Sequence, residues 1–110
     1  MNSVDLDIFN LIANPVRRAI LVELIEGERQ ATSLAAEQKV SASALSQHLK
    51  LLKDAGLVTE HREGRQRIYS LQPERLQEVS DWVSEFEIFW VGKLEALGQH
   101  LRRRKDGKEN

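Results

Sequence analysis

A chain of 110 residues is short enough to be one domain, and its core is modest enough that a subunit partner would be no surprise. It has no cysteine, which excludes disulfide bonds, thiolate metal sites and thiol redox sensing. It also lacks an 18-residue apolar run and a basic N-terminus, so we expect a soluble, cytoplasmic protein. The net charge of −1 hides a segregation, because residues 41–70 and 102–110 are basic and residues 73–101 are acidic. The global charge therefore argues only weakly against DNA binding, which needs positive potential on one surface.

The first two predicted elements are short helices. The segment "SVDLDIFNLIAN" predicts a helix with Ser3 as its N-cap and with Leu6, Phe9 and Ile12 at apolar positions. Pro15 fits the first turn of a second helix, "PVRRAILVELIEG", which we expect to end at Gly27.

A third helix is predicted for residues 31–39, with Thr32 or Ser33 at its N-terminus. The segment "KVSAS" follows it and is short enough to be a tight turn into the next helix. We therefore expect the third and fourth helices to form a helix-turn-helix pair.

The fourth predicted helix, "SASALSQHLKLLKDAGLV", has two different faces; we expect Ser41 or Ser43 to cap it and Gly56 to end it. An apolar stripe predicts burial, and the opposite face carries hydroxyls, an amide and a lysine without a carboxylate. Such groups can bond base edges in a DNA major groove, where a carboxylate would repel phosphate. An ordinary solvated helix face is the alternative interpretation. The leucines are Leu45, Leu49 and Leu52; the polar face is Ser43, Gln47 and Lys50, with Ser46 at its edge.

The segment "LVTEHREGRQRIYSL" predicts two short strands that turn at Glu63 and Gly64. Arg62, Arg65 and Arg67 surround this turn and can contact phosphates or enter a minor groove, provided that Glu63 points away from the DNA. Alternation along the second strand places Arg65 and Arg67 on the face opposite Gln66 and Ile68. The alternative is plain solubilising charge at a hairpin.

The last segment predicts one helix that begins at Pro73 and continues through the chain to about residue 101, before a basic polar tail over 102–110. About 30 residues at 1.5 Å each form a rod of about 45 Å, which is too long for the domain to cover, so a second copy of the chain is the simplest partner. Part of its apolar face can instead be intrachain core. Gly92 and Gly98 permit either close helix approach or a bend. The segment "RRRK" in the tail either contacts phosphate or keeps the C-terminal end of the chain solvated. The predicted dimer interface consists of Leu6, Phe9, Trp82, Phe86, Phe89, Trp90, Leu94 and Leu97.

Together these elements predict a mainly α fold with a β-hairpin, in the order α-α-α-α-β-β-α, which is a winged helix-turn-helix over residues 1–101. The segments "ANPVRRAILVELIEG", "SASALSQHLKLLKDAGLV" and "REGRQRIYSL" resemble the ArsR/SmtB family of bacterial transcriptional repressors over roughly residues 8–90. The resemblance implies a homodimer that binds an inverted repeat in a promoter and represses transcription. By position, the DNA-contacting residues are Ser43, Ala44, Ser46, Gln47 and Lys50 in the helix and Arg65 and Arg67 in the wing.

The sequence does not match the metal-binding members of this family. Its third helix lacks cysteine, and His48, His61 and His100 lie on separate elements without ligand spacing, so we predict no metal site and no cofactor. His48 borders the leucine stripe and is expected to pack or to contact phosphate. The signal that relieves repression stays open between an apolar small molecule, a protein antirepressor and autoregulation without an inducer.

An enzyme and a protein-binding winged helix are the two other function classes that compete with a DNA-binding repressor. An enzyme would need a nucleophile, a phosphate loop or a convergent acid–base set, and the sequence offers none, so we predict that the protein is not an enzyme. A winged helix that only binds other proteins is the stronger alternative, but it predicts an apolar or acidic face on the fourth helix.

Overall fold

The structure is a computed structural model that describes residues 7–93 and 97–98. The backbone divides into two compact units, residues 1–79 and residues 80–110. The predicted winged helix-turn-helix is confirmed, with one further strand. In chain order the elements are α1 (Ile8–Ile12), α2 (Pro15–Glu23), β1 (Arg29–Gln30), α3 (Ala31–Gln38), α4 (Ala42–Asp54), β2 (Val58–Glu63), β3 (Gln66–Leu71) and α5 (Gln77–Ser84), with 3-10 turns at Leu24–Glu26 and Pro73–Leu76.

Helix α1 is capped by Asp7, whose carboxylate accepts a hydrogen bond from the backbone N–H of Phe9 at 3.1 Å. The predicted cap Ser3 and the apolar residue Leu6 lie outside the described residues. The predicted apolar position Phe9 is 37% exposed, and the buried residues of α1 are Ile8 and Leu11 instead. The buried face of α1 is therefore rotated from the predicted one.

Helices α1 and α2 are joined by polar contacts at their adjoining ends. The side chain of Asn14 caps α2 by accepting the N–H groups of Val16 and Arg17, and Pro15 occupies the first turn as predicted. The guanidinium groups of Arg17 and Arg18 donate to the carbonyls of Leu11 and Ile12, each at 2.7 Å. These bonds satisfy carbonyl groups that the end of a helix leaves without intrahelical partners.

Helix α3 begins at Ala31, so the prediction that Thr32 or Ser33 opens it is wrong. Arg29 and Gln30 are extended and pair with Tyr69 and Ile68 of β3. Because this pairing places the chain in the β conformation up to Gln30, the helix starts directly after the strand without a side-chain cap.

The connection between α3 and α4 is a tight turn, as predicted. Lys39 has a left-handed conformation (φ 56°, ψ 44°), and the N–H of Val40 bonds to the carbonyl of Ala35 at 3.1 Å. The hydroxyl of Ser41 then accepts the N–H of Ala44 at 3.0 Å and caps α4, which confirms the first of the two predicted caps. At the other end of α4, Gly56 has φ +80°, as expected of a C-terminal glycine.

The core of the first unit is apolar. The predicted leucine stripe of α4 is confirmed, since Leu45, Leu49 and Leu52 are each at most 1% exposed. These leucines orient α4, because burying them forces the opposite face of the helix into solvent. Other fully buried side chains of this core are Ile8, Ile20, Leu34, Leu57 and Val58.

The sheet has three antiparallel strands in the order β1-β3-β2. The hairpin turn was predicted at Glu63 and Gly64 but lies one residue later, because Glu63 pairs with Gln66 and leaves Gly64 and Arg65 as the two turn residues. Gly64 has φ +63°, which suits such a turn. The strand β1 was not predicted, because two residues cannot display an alternating pattern.

The second unit is helical but not continuous, so the prediction of one uninterrupted helix is wrong. Helix α5 ends at Ser84, a turn occupies residues 85–86, and helical structure resumes over residues 87–93. The hydroxyl of Ser84 donates to the carbonyl of Ser80 at 2.8 Å, a contact that tends to bend helices. Shorter-range 3-10 bonds follow, from Phe86 N–H to the carbonyl of Val83 and from Phe89 N–H to that of Phe86.

Among the described residues, none of the helices combines the length and the apolar character needed to cross a membrane. A Cβ atom built on Gly92 would meet no atom within 4 Å, so close approach of another described segment is not the reason for this glycine.

Candidate nucleic-acid interface

The solvent-facing side of α4 carries polar side chains. Ser43, Gln47 and Lys50 are exposed on this side, and Ala44 and Ser46 are half-buried at its edges. The leucine core holds the helix from behind, and the Ser41 cap fixes where it begins. The helix therefore presents an amide, a hydroxyl and an ammonium group from a rigid support.

Lys50 has a carboxylate neighbour, Asp54, whereas the predicted polar face contains no carboxylate. Its Nζ donates to Asp54 Oδ2 at 3.0 Å, one turn further along α4. The Lys50 side chain is 75% exposed, and exposed i,i+4 pairs of this kind are weak. Lys50 can therefore exchange this carboxylate for a phosphate at little cost.

His48 faces α2 instead of the solvent. Its Nδ1 lies 3.3 Å from Arg17 Nη1, and burial together with the Arg17 charge lowers the pKa of His48. The imidazole is thus neutral at pH 7 and accepts from the guanidinium. This contact supports the expected packing role, and a contact of His48 with DNA stays a prediction.

The three wing arginines have different surroundings. Arg65 is exposed in the turn itself, and Arg62 is exposed near the end of β2. Arg67 is half-buried, and its guanidinium donates to the hydroxyls of Ser46 in α4 at 3.3 Å and of Tyr69 at 3.4 Å. Strand alternation predicted similar surroundings for Arg65 and Arg67, but Arg67 joins the wing to α4.

A polar network continues from Arg67 along the same side of the hairpin. The carboxylate of Glu60 accepts from Lys53 Nζ at 2.9 Å and from the Tyr69 hydroxyl at 2.8 Å, and it lies 3.8 Å from Arg67 Nη1. The bonds from Lys53 and Tyr69 lower the pKa of Glu60. Burial and the bond to Glu60 raise the pKa of Tyr69 to about 12. The network fixes the angle between wing and α4, and sequence reasoning missed it.

The predicted interface residues of the second unit are exposed. Phe89 is 66%, Leu97 52%, Trp82 50%, Trp90 45% and Phe86 39% accessible to solvent. The ring of Phe86 contacts both tryptophans, with centroids 5.1 Å from Trp82 and 6.4 Å from Trp90. These residues form an apolar surface, whereas Leu94 and the predicted partner Leu6 lie outside the described residues.

The family model described as "Bacterial regulatory protein, arsR family" matches residues 14–60, from the cap of α2 into β2. The transcriptional repressor SdpR of Bacillus subtilis is 35% identical over 80 residues, which cover 73% of this chain and 89% of SdpR. This chain belongs to the ArsR family. Another ArsR-type relative, the HTH-type transcriptional regulator Rv2034 of Mycobacterium tuberculosis, is 36% identical over 88 residues, covering 80% of this chain and 79% of Rv2034.

The solved structures agree with this assignment. One ArsR family transcriptional regulator aligns with a TM-score of 0.66 and 30% identity, covering 76% of this chain and 91% of that one. As a member of the ArsR family, the protein is a DNA-binding transcriptional regulator. The prediction that it is not an enzyme is confirmed by the same relatives.

Proposed function

We propose that the protein is a homodimeric repressor that reads an inverted-repeat operator with α4 and contacts the flanking DNA phosphate backbone with its wing. The observation that carries this proposal is the polar face of α4, which the leucine core holds outward. SdpR, whose name describes a repressor, supports the sign of the regulation. Because the target is chromosomal DNA, we place the protein in the cytoplasm.

We assign sequence reading to Gln47 and Ser43, because amides and hydroxyls bond base edges in the major groove. Ala44 and Ser46 lie at the edge of this face, where a methyl group and a hydroxyl can approach a base or a sugar. We assign phosphate contacts to Lys50, because its ammonium group is exposed on the same side of α4 as Gln47.

We assign backbone contacts in the wing to Arg62 and Arg65, because both are exposed at the tip of the hairpin. Arg67 was predicted as a third contact. Its bonds to Ser46 and Tyr69 favour a positioning role that sets the wing against α4.

The dimer is proposed because a single short helix reads too few base pairs for a useful site. Two copies of α4 related by a two-fold axis would enter successive major grooves about 34 Å apart, which makes the target an inverted repeat. The exposed aromatic side chains of the second unit are the surface that we assign to this pairing, with Phe9 of α1 as a further contact.

A winged helix that binds only other proteins is the alternative. It would need an apolar or acidic surface on α4, whereas the face opposite the leucine stripe exposes Ser43, Gln47 and Lys50. The polar face therefore favours DNA.

Footprinting on the DNA upstream of the protein's own gene would locate an operator, and the affinities of two variants for operator and random duplexes would then test the assignments. Gln47→Ala should weaken operator binding by about 1 to 3 kcal/mol and leave random DNA nearly unaffected. Arg65→Ala should weaken both duplexes and lower the slope of log affinity against log salt by roughly one. Equal losses on both duplexes for Gln47→Ala would contradict base reading, and an unchanged slope would remove Arg65 from the backbone contacts.

A further inference from the structure

Three potential metal ligands converge on the face of the sheet opposite the Glu60 network. One ligand atom from each of Glu28, His61 and Glu63 lies within 4.8 Å of the others, and His61 Nε2 is 3.4 Å from Glu63 Oε1. His61 and Glu63 alternate along β2 and share a face, whereas Glu28 precedes β1. The hydroxyl of Ser70 in β3 donates to Glu28 Oε2 at 3.3 Å and directs this carboxylate toward the cluster.

The charges of this cluster are not balanced by other side chains. In the part of the chain that the structure describes, neither Glu28 nor Glu63 forms an ion pair with a lysine or an arginine. The histidine beside Glu63 carries charge only when it is protonated. On the other face of the sheet, by contrast, Glu60 is paired with Lys53 and Arg67. Two carboxylates held this close favour a cation between them.

No metal site was predicted from the sequence, because Glu28 is far from His61 and Glu63 along the chain. From their proximity in the fold we propose that Glu28, His61 and Glu63 bind a divalent transition-metal ion of the zinc class. One imidazole and two carboxylates form a donor set that suits zinc, with a water molecule in the fourth position. Tetrahedral zinc bonds of about 2.1 Å would bring the three ligand atoms, which now lie within 4.8 Å of one another, to about 3.4 Å apart. All three side chains are exposed, so their rotamers can make this approach. Ser70 acts as the outer group that orients a ligating carboxylate.

The position of the site gives it a consequence for DNA binding, which rests on the proposed function. Glu63 ends β2 directly before the wing turn, next to the exposed Arg62 and close to Arg65. Its negative charge opposes contact with phosphate, and a bound divalent ion would neutralise both carboxylates. The ion would also tie Glu28 to the hairpin and brace the wing. Metal binding should therefore strengthen binding to DNA of any sequence.

The test of the site uses the full-length protein and zinc alone, in competition with a chromophoric zinc chelator. Wild-type protein should bind one equivalent, and His61→Asn or Glu63→Gln should weaken this binding at least tenfold. Glu37→Gln, which removes an exposed glutamate from α3, is the matched control and should bind as the wild type does. Since the chain also contains His100, equal binding by His61→Asn and wild type would place the ion elsewhere and overturn the proposal. So would the absence of binding at micromolar zinc.

A second measurement separates this site from the proposed function. Zinc should raise the affinity of wild-type protein for a random duplex roughly tenfold at moderate salt and should leave that of His61→Asn unchanged. Zinc binding with no change in DNA affinity would overturn the coupling. Zinc binding without any DNA binding would overturn the proposed function and leave the metal site standing.

Discussion

The leucine stripe of α4 and the aromatic surface of the second unit have the same helical spacing and opposite exposure. Leu45, Leu49 and Leu52 are at most 1% exposed, whereas Trp82 is 50% and Phe89 66% exposed. Helical periodicity therefore predicts which side chains share a face, but it does not identify what covers that face. In the first unit, the α1, α2 and α3 residues of the same chain cover it.

The two regions should accordingly respond differently to protein concentration. A core closed within one chain has a free energy of unfolding that is independent of concentration, whereas a surface covered by a second copy gains its stability through association. Two variants, each with a control, test this difference, and a third tests the link between wing and α4.

The largest expected effect is on the core. Leu49→Ala should lower the free energy of unfolding by about 2 to 5 kcal/mol, because it leaves a cavity in a fully packed site. Leu51→Ala, on the same helix but 36% exposed, should cost much less and is the control. Urea unfolding at several protein concentrations would measure both; a similar loss for the two variants would contradict the assignment of the stripe to the core.

The second effect is on the proposed dimer. Phe89→Glu places a charge in the aromatic surface and removes apolar burial, so the dimer dissociation constant should rise roughly 30-fold, or about 2 kcal/mol. Ile88→Glu changes a neighbouring residue that is 79% exposed and is not among the predicted dimer-interface residues. It should have little effect on the dimer dissociation constant.

Sedimentation at micromolar concentration would compare these two variants, and operator affinity should fall only for Phe89→Glu. A wild-type protein that sediments near 12.6 kDa and still binds its operator tightly would show that the aromatic surface is not a dimer interface.

The smallest effect is on the link between wing and α4. The folded-state pKa of Tyr69 is raised to about 12, so the bond from its hydroxyl to Glu60 contributes fully below pH 10 and is lost as the pH rises toward 12. Tyr69→Phe should therefore cost about 1 kcal/mol at pH 8 and progressively less above pH 10. Urea unfolding of both proteins across this range would test it, and a difference that grows with pH would contradict the assigned bond.

Features that depend on neighbours along the chain were predicted from the sequence. The Ser41 cap, the α4 leucines and the helix end at Gly56 follow from rules that act over a few residues. The start of α3 was not predicted correctly, because Arg29 and Gln30 pair with strand residues about 40 positions away.

Contacts across strands were missed for the same reason. Glu60 meets Tyr69, and Glu28 meets Ser70, only once the register of the hairpin is known. Arg67 looked equivalent to Arg65 in an alternating pattern, and only the position of α4 distinguishes them.

The division of α4 into a buried and an exposed face also bears on how such regulators diverge. Ser43, Gln47 and Lys50 are exposed and contribute almost nothing to the core. Substitutions at Ser43 and Gln47, the proposed base-reading positions, can therefore change the preferred operator without endangering the fold. Ser46 is different, because it holds Arg67 and with it the wing. A regulator of this design therefore acquires a new target by changes at Ser43 and Gln47, whereas Ser46 and the leucines behind them have to be kept.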